Sequence, residues 1–409
     1  MMDQDNAKKP TKFFGLSRNV ISMGAVSFLN DLSSDMIFPF IPIFLTSVLG
    51  AGASFVGLVE GIADSTASIL KMFSGRLSDR VRIRKPFAIL GYSLSALAKP
   101  LLSIAGVPWH VLAIRFLDRV GKGTRDAPRD ALLSLSAEKK DIGRAFGFHR
   151  GADTLGAALG PLVAFLILPF IDNDLRTLFL LSFVASAFAV FILWLSVKEV
   201  KAETISSLFD GKTALPKFEF KALGLPFIIF LTSATIFALS RGSDAFLLLR
   251  AQNLGVSLAL IPIIYFVYNI TFAIFSTPAG MLSDKIGHRN TFMIGMLIFS
   301  GTYFLFAQAS TVLSIWVLFA VYGFYSAFTE GVGKAIVADL VDEKIRGTAY
   351  GVYNAFTGIA LLPASLIFGF LWDRSGPATS FYYGTILSLL AFVVFLFLRV
   401  RNHKKRSLI

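Results

Sequence analysis

Cysteine is absent from the 409 residues, which removes disulfides, thiol nucleophiles and thiolate metal sites. The four histidines, His110, His149, His288 and His403, are scattered without ligand spacing. Charge is scarce: 16% of residues are Asp, Glu, Lys or Arg, against about 25% in a soluble domain. No G-x-x-x-x-G-K-[ST] loop occurs, so ATP hydrolysis is not expected of this chain. No nucleophile-base arrangement stands out either; an enzyme, a cofactor and a bound metal are all unexpected. Acidic residues number 26 against 39 basic ones, for a net charge of +13. Nucleic acid is nevertheless not the implied partner, because the bases gather at the ends of apolar runs, as membrane topology requires.

Hydrophobic residues make up 55% of the chain, and apolar runs of about 20 residues, each enough to cross a bilayer as a helix, recur along its length. Twelve spans are read, at 19–47, 53–74, 86–105, 107–128, 145–170, 177–197, 224–248, 258–281, 290–308, 311–335, 348–371 and 379–399. Residues 198–222 are the longest polar stretch between spans. The expected organisation is a tail at 1–18, a six-helix half at 19–197, a linker at 198–222, a six-helix half at 223–399 and a tail at 400–409. The residues before Arg18 are polar and basic, and the first apolar run is too long for a signal-peptide core, so no cleaved signal is expected. Lys and Arg crowd alternate loops, among them Lys8 to Arg18, Arg76 to Lys85, Lys139 to Arg144, Lys198 to Lys221 and Arg401 to Arg406; the opposite side has Arg176, Arg250 and Arg374. This bias places both termini and the linker in the cytoplasm and fits a bacterial cytoplasmic membrane.

Two short patterns repeat. Gly75-Arg-Leu77-Ser-Asp79-Arg80 returns 205 positions later as Gly280-Met-Leu282-Ser-Asp284-Lys285. Gly143-Arg-Ala145-Phe146-Gly147 returns at an offset of 204 as Gly347-Thr-Ala349-Tyr350-Gly351. Two repeats at nearly one offset imply a duplicated unit. Such duplicated bundles recur where one half rocks against the other around a central site.

These residues resemble the major facilitator superfamily over nearly the whole chain. Its loop signature G-x-L-x-D-R-x-G-R-K is matched at Gly75, Leu77, Asp79 and Arg80, with Arg82 and Ile83 departing and Arg84 and Lys85 keeping the charge. Arg115-Phe-Leu-Asp118-Arg119-Val-Gly121-Lys122-Gly123 is similar to the R-F-L-Q-G-x-G-A-A signature of proton-coupled members. Gly156-Ala-Ala-Leu-Gly160-Pro161 is similar to the first half of the antiporter signature G-x-x-x-G-P-x-x-G-G, whose trailing glycines are Ala164 and Phe165 here. The resemblance implies an all-α membrane protein of 12 transmembrane helices in two six-helix pseudo-symmetric halves, the major facilitator fold. It also implies that spans 1, 4, 7 and 10 line the cavity and that Arg115 serves proton coupling.

A charge inside a bilayer is costly, so it is usually paired and often functional. Asp31 and Asp35 share a face of span 1; two such carboxylates either carry a proton or substrate, or are paired to bases and hold helices together. Arg115 either holds a carboxylate or substrate anion, or forms a permanent bridge to Asp31 or Asp35. Glu60, Asp64 and Lys71 share a face of span 2 and are read as structural ion pairs. Asp118, Arg119, Lys122, Arg125, Asp126, Arg129 and Asp130 are read as an inside gate rather than a binding site. Arg150 with Asp153, and Arg241 with Asp244, have the spacing of intrahelical pairs, the second pair having the better claim on substrate. Glu330, four residues before Lys334, is a candidate second proton site.

Gly75, Asp79 and Arg80, with Gly280, Asp284 and Lys285, are read as a cytoplasmic gate, or alternatively as helix caps with positive-inside charge. Gly156, Gly160 and Pro161 permit close helix approach and a bend. Tyr265, Phe266, Tyr268, Phe272, Tyr303, Trp316, Tyr322, Tyr325 and Phe328 would suit an organic substrate with an apolar or planar part. The resulting expectation is a monomeric proton-coupled transporter in the lipid bilayer, exporting a small organic or amphiphilic solute by proton antiport. Its alternatives are proton-symport import of an organic anion, and a proton-independent lipid flippase or scramblase.

Overall fold

The computed structural model describes residues 16–81, 83–137, 141–200, 223–342 and 345–398, and at 72, 76, 79 and 347 the backbone alone. Residues 1–15, most of the expected linker and the tail from 399 lie outside it, as do Arg82, Lys139 and Lys140. The elements are helices: α1 Arg18–Ile37, α2 Ile41–Ile43, α3 Ala53–Val81, α4 Lys85–Ser103, α5 Pro108–Leu135, α6 Ile142–Ile167 and α7 Leu175–Ser196. After the break come α8 Gly224–Ser240, α9 Ala245–Asn253, α10 Ile261–Ile286, α11 His288–Gln308, α12 Val312–Leu340, α13 Arg346–Ser375 and α14 Pro377–Leu396. Among the described residues, ten helical stretches are long and apolar enough to cross a membrane. The long helices α4 and α5 are not among them; α4 carries Lys99, and α5 a run of charge from Arg115 to Asp130.

Short connections turn the chain back after each long helix. One end of the bundle, here called basal, collects the loops near residues 81–85, 135–142 and 286–288; the other, apical, end collects those near 48–53, 103–108 and 375–377. Several helices run further toward the basal end than their apolar runs, since α3 continues to Val81, α5 to Leu135 and α12 to Leu340.

Proline shapes the first long helix. Pro39 and Pro42 remove backbone donors, and the helix passes through a tight 3-10 turn at Phe38–Phe40, α2 and a wide π turn at Phe44–Val48 before it ends. Asp174 starts α7, accepting from the amides of Arg176 at 3.1 Å and Thr177 at 3.0 Å. The Thr177 hydroxyl, followed by these amides, holds the Asp174 carboxyl below the usual carboxylate range.

Glycine sets the spacing of α1 against α6. A Cβ on Gly160 would stand 2.6 Å from the Leu32 carbonyl oxygen and 2.8 Å from the Met36 nitrogen, and one on Gly156 would run into the Phe28 carbonyl. Neither backbone can yield, so the sequence fixes close contact there. The largest apolar core lies mostly in the later helices and is aromatic: Phe237, Phe299, Tyr303, Tyr322 and Tyr325 pack on one another, with Phe299 and Tyr303 rings 4.0 Å apart.

Candidate functional site

A cavity of about 250 Å³ sits midway along the bundle, walled by α1, α3, α4, α5, α10, α13 and the segment between α8 and α9. Eleven of its twenty-three lining residues are charged. Asp31 and Asp35 face it from α1, Asp64 from α3, and Lys99 from α4. Arg115, Asp118, Arg119, Lys122 and Arg125 face it from α5. The carboxylates and bases read from the sequence as separate features therefore meet in one space.

Arg115 is the best-paired group. Its guanidinium bonds both Glu60 oxygens, at 3.0 and 2.8 Å from one nitrogen, and reaches Asp118 at 3.4 Å. Arg115 and Glu60 are both nearly fully buried. The alternative reading of Arg115, a bridge to Asp31 or Asp35, is thus corrected: the bidentate partner is Glu60, which faces α5 at a depth that sequence spacing does not reveal. Lys71, from the same face of α3, reaches Asp126 at 3.7 Å. Arg119 shares Asp118 at 3.6 Å, and Arg125 donates to the Ser95 hydroxyl at 2.7 Å with its guanidinium 4.3 Å from the Tyr92 ring centre.

The inside-gate reading of the α5 charges needs division. Asp118, Arg119, Lys122 and Arg125 line the central cavity. Asp126, Arg129 and Asp130 lie further along the helix and pair among themselves, at 3.7 Å for Arg129 with Asp126 and 2.9 Å for Arg129 with Asp130. The helix turns the first set inward and carries the second toward the basal end.

Arg241 and Asp244 do not form an intrahelical pair, because the helix stops between them. α8 ends at Ser240 and α9 begins at Ala245. Each side chain instead meets a tyrosine of α12: Arg241 donates to the Tyr325 hydroxyl at 2.9 Å, and the Tyr322 hydroxyl donates to Asp244 at 2.7 Å. Irregular backbone of this kind is tolerated at depth where it lines a cavity. Arg150 and Asp153 are a pair at 3.6 Å, and Asp153 also accepts from Ser27 of α1.

Asp31 accepts from the Asn30 side chain at 2.9 Å. Asp35 and Asp64 have side chains with no hydrogen bond or ion pair among the described residues. Lys122 likewise has no ion pair there, although it is exposed to the cavity. Lys99 is 2% exposed, and its Nζ has no hydrogen-bond partner among the described residues. The sequence reading passed over Lys99; a lone lysine inside an otherwise apolar run was the available signal.

A second, larger cavity of about 790 Å³ lies on the basal side and shares Arg241 and Leu361 with the first. Glu330 and Lys334 belong to this vestibule, with Lys71, Phe73, Phe237, Phe292 and Tyr353, and not to the central site. At the apical end the early and late helices are joined. Asp373 accepts the amides of Ala53 and Ser54 at 2.8 Å each, and Gln252 donates to Ser47 at 3.0 Å. Ser65 donates to the Gly358 carbonyl at 2.9 Å between the two ends. The central cavity is therefore shut apically and leads toward the basal side.

The motif residues are placed unevenly. A Cβ on Gly75 would stand 3.1 Å from that of Ala127, while one on Gly280 would meet nothing within 4 Å among the described residues, so the two copies of the motif are packed differently in this conformation. Arg80 and Lys285 are exposed, and the Asp79 side chain lies outside the described residues. Asp284 meets His288 at 3.6 Å, and His288 bonds Asp339 at 2.6 Å. Of the aromatics, Tyr265 reaches the central cavity, while Tyr303, Tyr322 and Tyr325 are buried in the ring cluster.

The family profile of the Major Facilitator Superfamily matches residues 23–249 and 229–409. The chain belongs to the Major Facilitator Superfamily. Like other members of this superfamily it is a multi-pass membrane transporter and not an enzyme. It is 38% identical over 391 residues to an uncharacterized MFS-type transporter of Methanocaldococcus jannaschii, with 94% of this chain and 95% of that one covered. It is 23% identical over 384 residues to the multidrug resistance protein MdtH of Salmonella arizonae, with 91% of each chain covered. Among solved structures, a peptide transporter POT in complex with sulfate superposes with a TM-score of 0.77 at 13% identity, covering 96% of each chain. The nucleoside transporter NupG superposes at 0.73 and 15%, covering 92% of this chain and 97% of that one. At such identities the last two carry the fold alone.

Proposed function

We propose that this superfamily member is a proton-coupled secondary transporter that works by alternating access and exports a small organic solute by proton antiport. The observation that carries this reading is the Asp35 carboxylate, unpaired in a cavity shut at one end and leading toward the other. An unpaired carboxylate in such a site gains by taking a proton. Protonation and solute binding at one carboxylate exclude each other, and that exclusion is what antiport requires. The likeness to MdtH supports export.

In this reading twelve spans form two six-helix halves, 19–197 and 223–399, with α4 and α5 counted as spans because their charges face the cavity. The basal end is cytoplasmic, by the excess of Lys and Arg in its loops, and the membrane is a cytoplasmic one. The protein works as a monomer, and the paired loop motifs act as its gate. The charged character of the central cavity favours a polar solute over a lipid-sized amphiphile.

The test is flux into proteoliposomes holding a pH-sensitive dye under an imposed pH gradient. Asp35→Asn is expected to abolish solute-driven proton flux while leaving the amount of folded protein unchanged. Undiminished proton flux through Asp35→Asn would remove Asp35 from the mechanism. Proton flux in the same direction as the solute would replace antiport by symport, for which the unpaired Lys99 and Lys122 offer an anion site.

A further inference from the structure

We propose that the solute of the central cavity is a small zwitterion, carrying a carboxylate or phosphate group and an ammonium group; this deepens the transport reading above and rests on it. The argument is one of leftover charge. Arg115 is satisfied by Glu60 and Asp118, while Arg125 meets Asp126 at 3.9 Å, donates to Ser95 and lies over the Tyr92 ring. Asp244 and Arg241 are each tied to a tyrosine. Groups of both signs remain: Lys99 and Lys122 on one side, Asp35 and Asp64 on the other.

Lys99 decides the anionic half. An ammonium that is 2% exposed and has no hydrogen-bond partner is strongly unfavourable unless a charge completes it. Lys122, exposed to the same cavity, adds a second donor for a carboxylate or phosphate oxygen. Asp35 decides the cationic half; the Arg115 guanidinium already lies 5.9 Å over the Phe38 ring, and the Tyr265 ring, which lines the same cavity 5.4 Å from Phe38, suits an ammonium. A purely anionic solute would leave Asp35 without a direct partner, and a purely cationic one would leave Lys99 without one. A zwitterion neutralises both, and its ammonium competes with the proton at Asp35. The volume of about 250 Å³ is below the range of about 300–1,000 Å³ typical of drug-sized sites, so the solute is small.

The test is binding to the purified full-length protein in nanodiscs. The probes are the proteinogenic amino acids with uncharged side chains, their amides, which keep only the positive charge, and their deaminated acids, which keep only the negative one. Phosphoethanolamine and phosphoserine separate phosphate from carboxylate. At least one zwitterion is expected to bind about ten-fold or more tighter than its amide and its deaminated acid. Lys99→Met is expected to lower the zwitterion-to-amide affinity ratio about 10- to 100-fold, the loss expected for a hydrogen bond to a charged group. Lys122→Gln, at a position exposed to the cavity, provides the same readout should Lys99→Met fold poorly. The proposal is overturned if no zwitterion outbinds its singly charged analogues, or if the ratio is unchanged in both variants. Proton flux measured alongside separates the two readings. Zwitterion binding without proton flux removes the coupling and keeps the site; proton flux driven by amides alone does the reverse.

Discussion

Asp373 offers the sharpest handle on the conformational cycle. Its two oxygens accept the first two amides of α3, from Ala53 and Ser54, at 2.8 Å each. These amides are orphan donors at a helix start, where the aligned peptide dipoles also favour a negative charge. Asp373 belongs to α13, so the contact latches a late helix onto an early one across the apical mouth. The latch is present only while that mouth is shut. Removing it weakens the apically closed state and leaves the open state untouched, so the population moves toward apical opening.

The magnitude follows from capping energetics. Loss of a capping side chain costs about 0.5–2 kcal/mol and a helix-end charge about 0.3–1 kcal/mol, less where exposed. Asp373 is exposed, so about 1–2 kcal/mol is expected for the whole latch, a factor of about 5–30 in the closed-to-open ratio. An apical-open population of about 1% would rise to roughly 5–25% in Asp373→Ala. The cysteine-free chain makes the assay direct. Spin labels at Ile104→Cys and Leu313→Cys, two strongly exposed positions at the apical ends of α4 and α12, report the opening as a longer distance by pulsed dipolar spectroscopy. Gly52→Ala gives an independent route, since a Cβ there would stand 2.7 Å from an Asp373 oxygen and would push the carboxylate away. Asp373→Asn, which keeps the shape and loses the charge, is expected to fall between wild type and alanine. Identical distance distributions in wild type, Asp373→Ala and Gly52→Ala would refute the latch.

Two further perturbations probe the scaffold around the cavity. Glu60→Leu leaves the buried Arg115 guanidinium with Asp118 alone, and is expected to destabilise by about 3–5 kcal/mol, read as a large fall in the detergent melting temperature; a melting temperature within a degree of wild type would mean that Asp118 suffices. Gly160→Val drives a side chain into the α1 backbone at Leu32 and Met36, at a cost of about 1–3 kcal/mol, whereas Gly151→Ala, with nothing within 4 Å of its Cβ, serves as the neutral control.

The sequence made some layers of this protein plain and hid others, for physical reasons. Apolar runs are legible because a lipid-crossing helix must satisfy its own backbone over a fixed length. That logic reached Arg18–Val48 and Pro377–Leu396 directly. It said less about α8 and α9, where an apolar run is split at Arg241–Asp244 without a proline to mark it; Gly242 was the faint local sign. Pairing was hidden throughout. Arg115 has Asp31, Asp35, Asp64 and Glu60 as candidate partners, and which one it meets depends on how α3 and α5 are rotated, a property of packing and not of spacing. The aromatics illustrate the same limit, because most of those singled out as substrate-reading form the core of the later helices.

Ionic residues in membrane helices can satisfy each other or wait for something else, and the α5 wall does both. Glu60 and Arg115 are bidentately paired and deeply set, with Asp118 at the cavity wall as a second partner of Arg115, which makes the pair a rigid scaffold on which neighbouring charges are held in place. Lys99 has the opposite arrangement, being as deeply buried and lacking a hydrogen-bond partner. A folded chain keeps such a group only if another state of the cycle or a bound solute compensates it. Burial by itself therefore does not distinguish structure from function among these charges. The distinction is whether the charge has a hydrogen-bond or ion-pair partner among the described residues, and by that criterion Lys99 and Asp35 are the groups the transport cycle must complete.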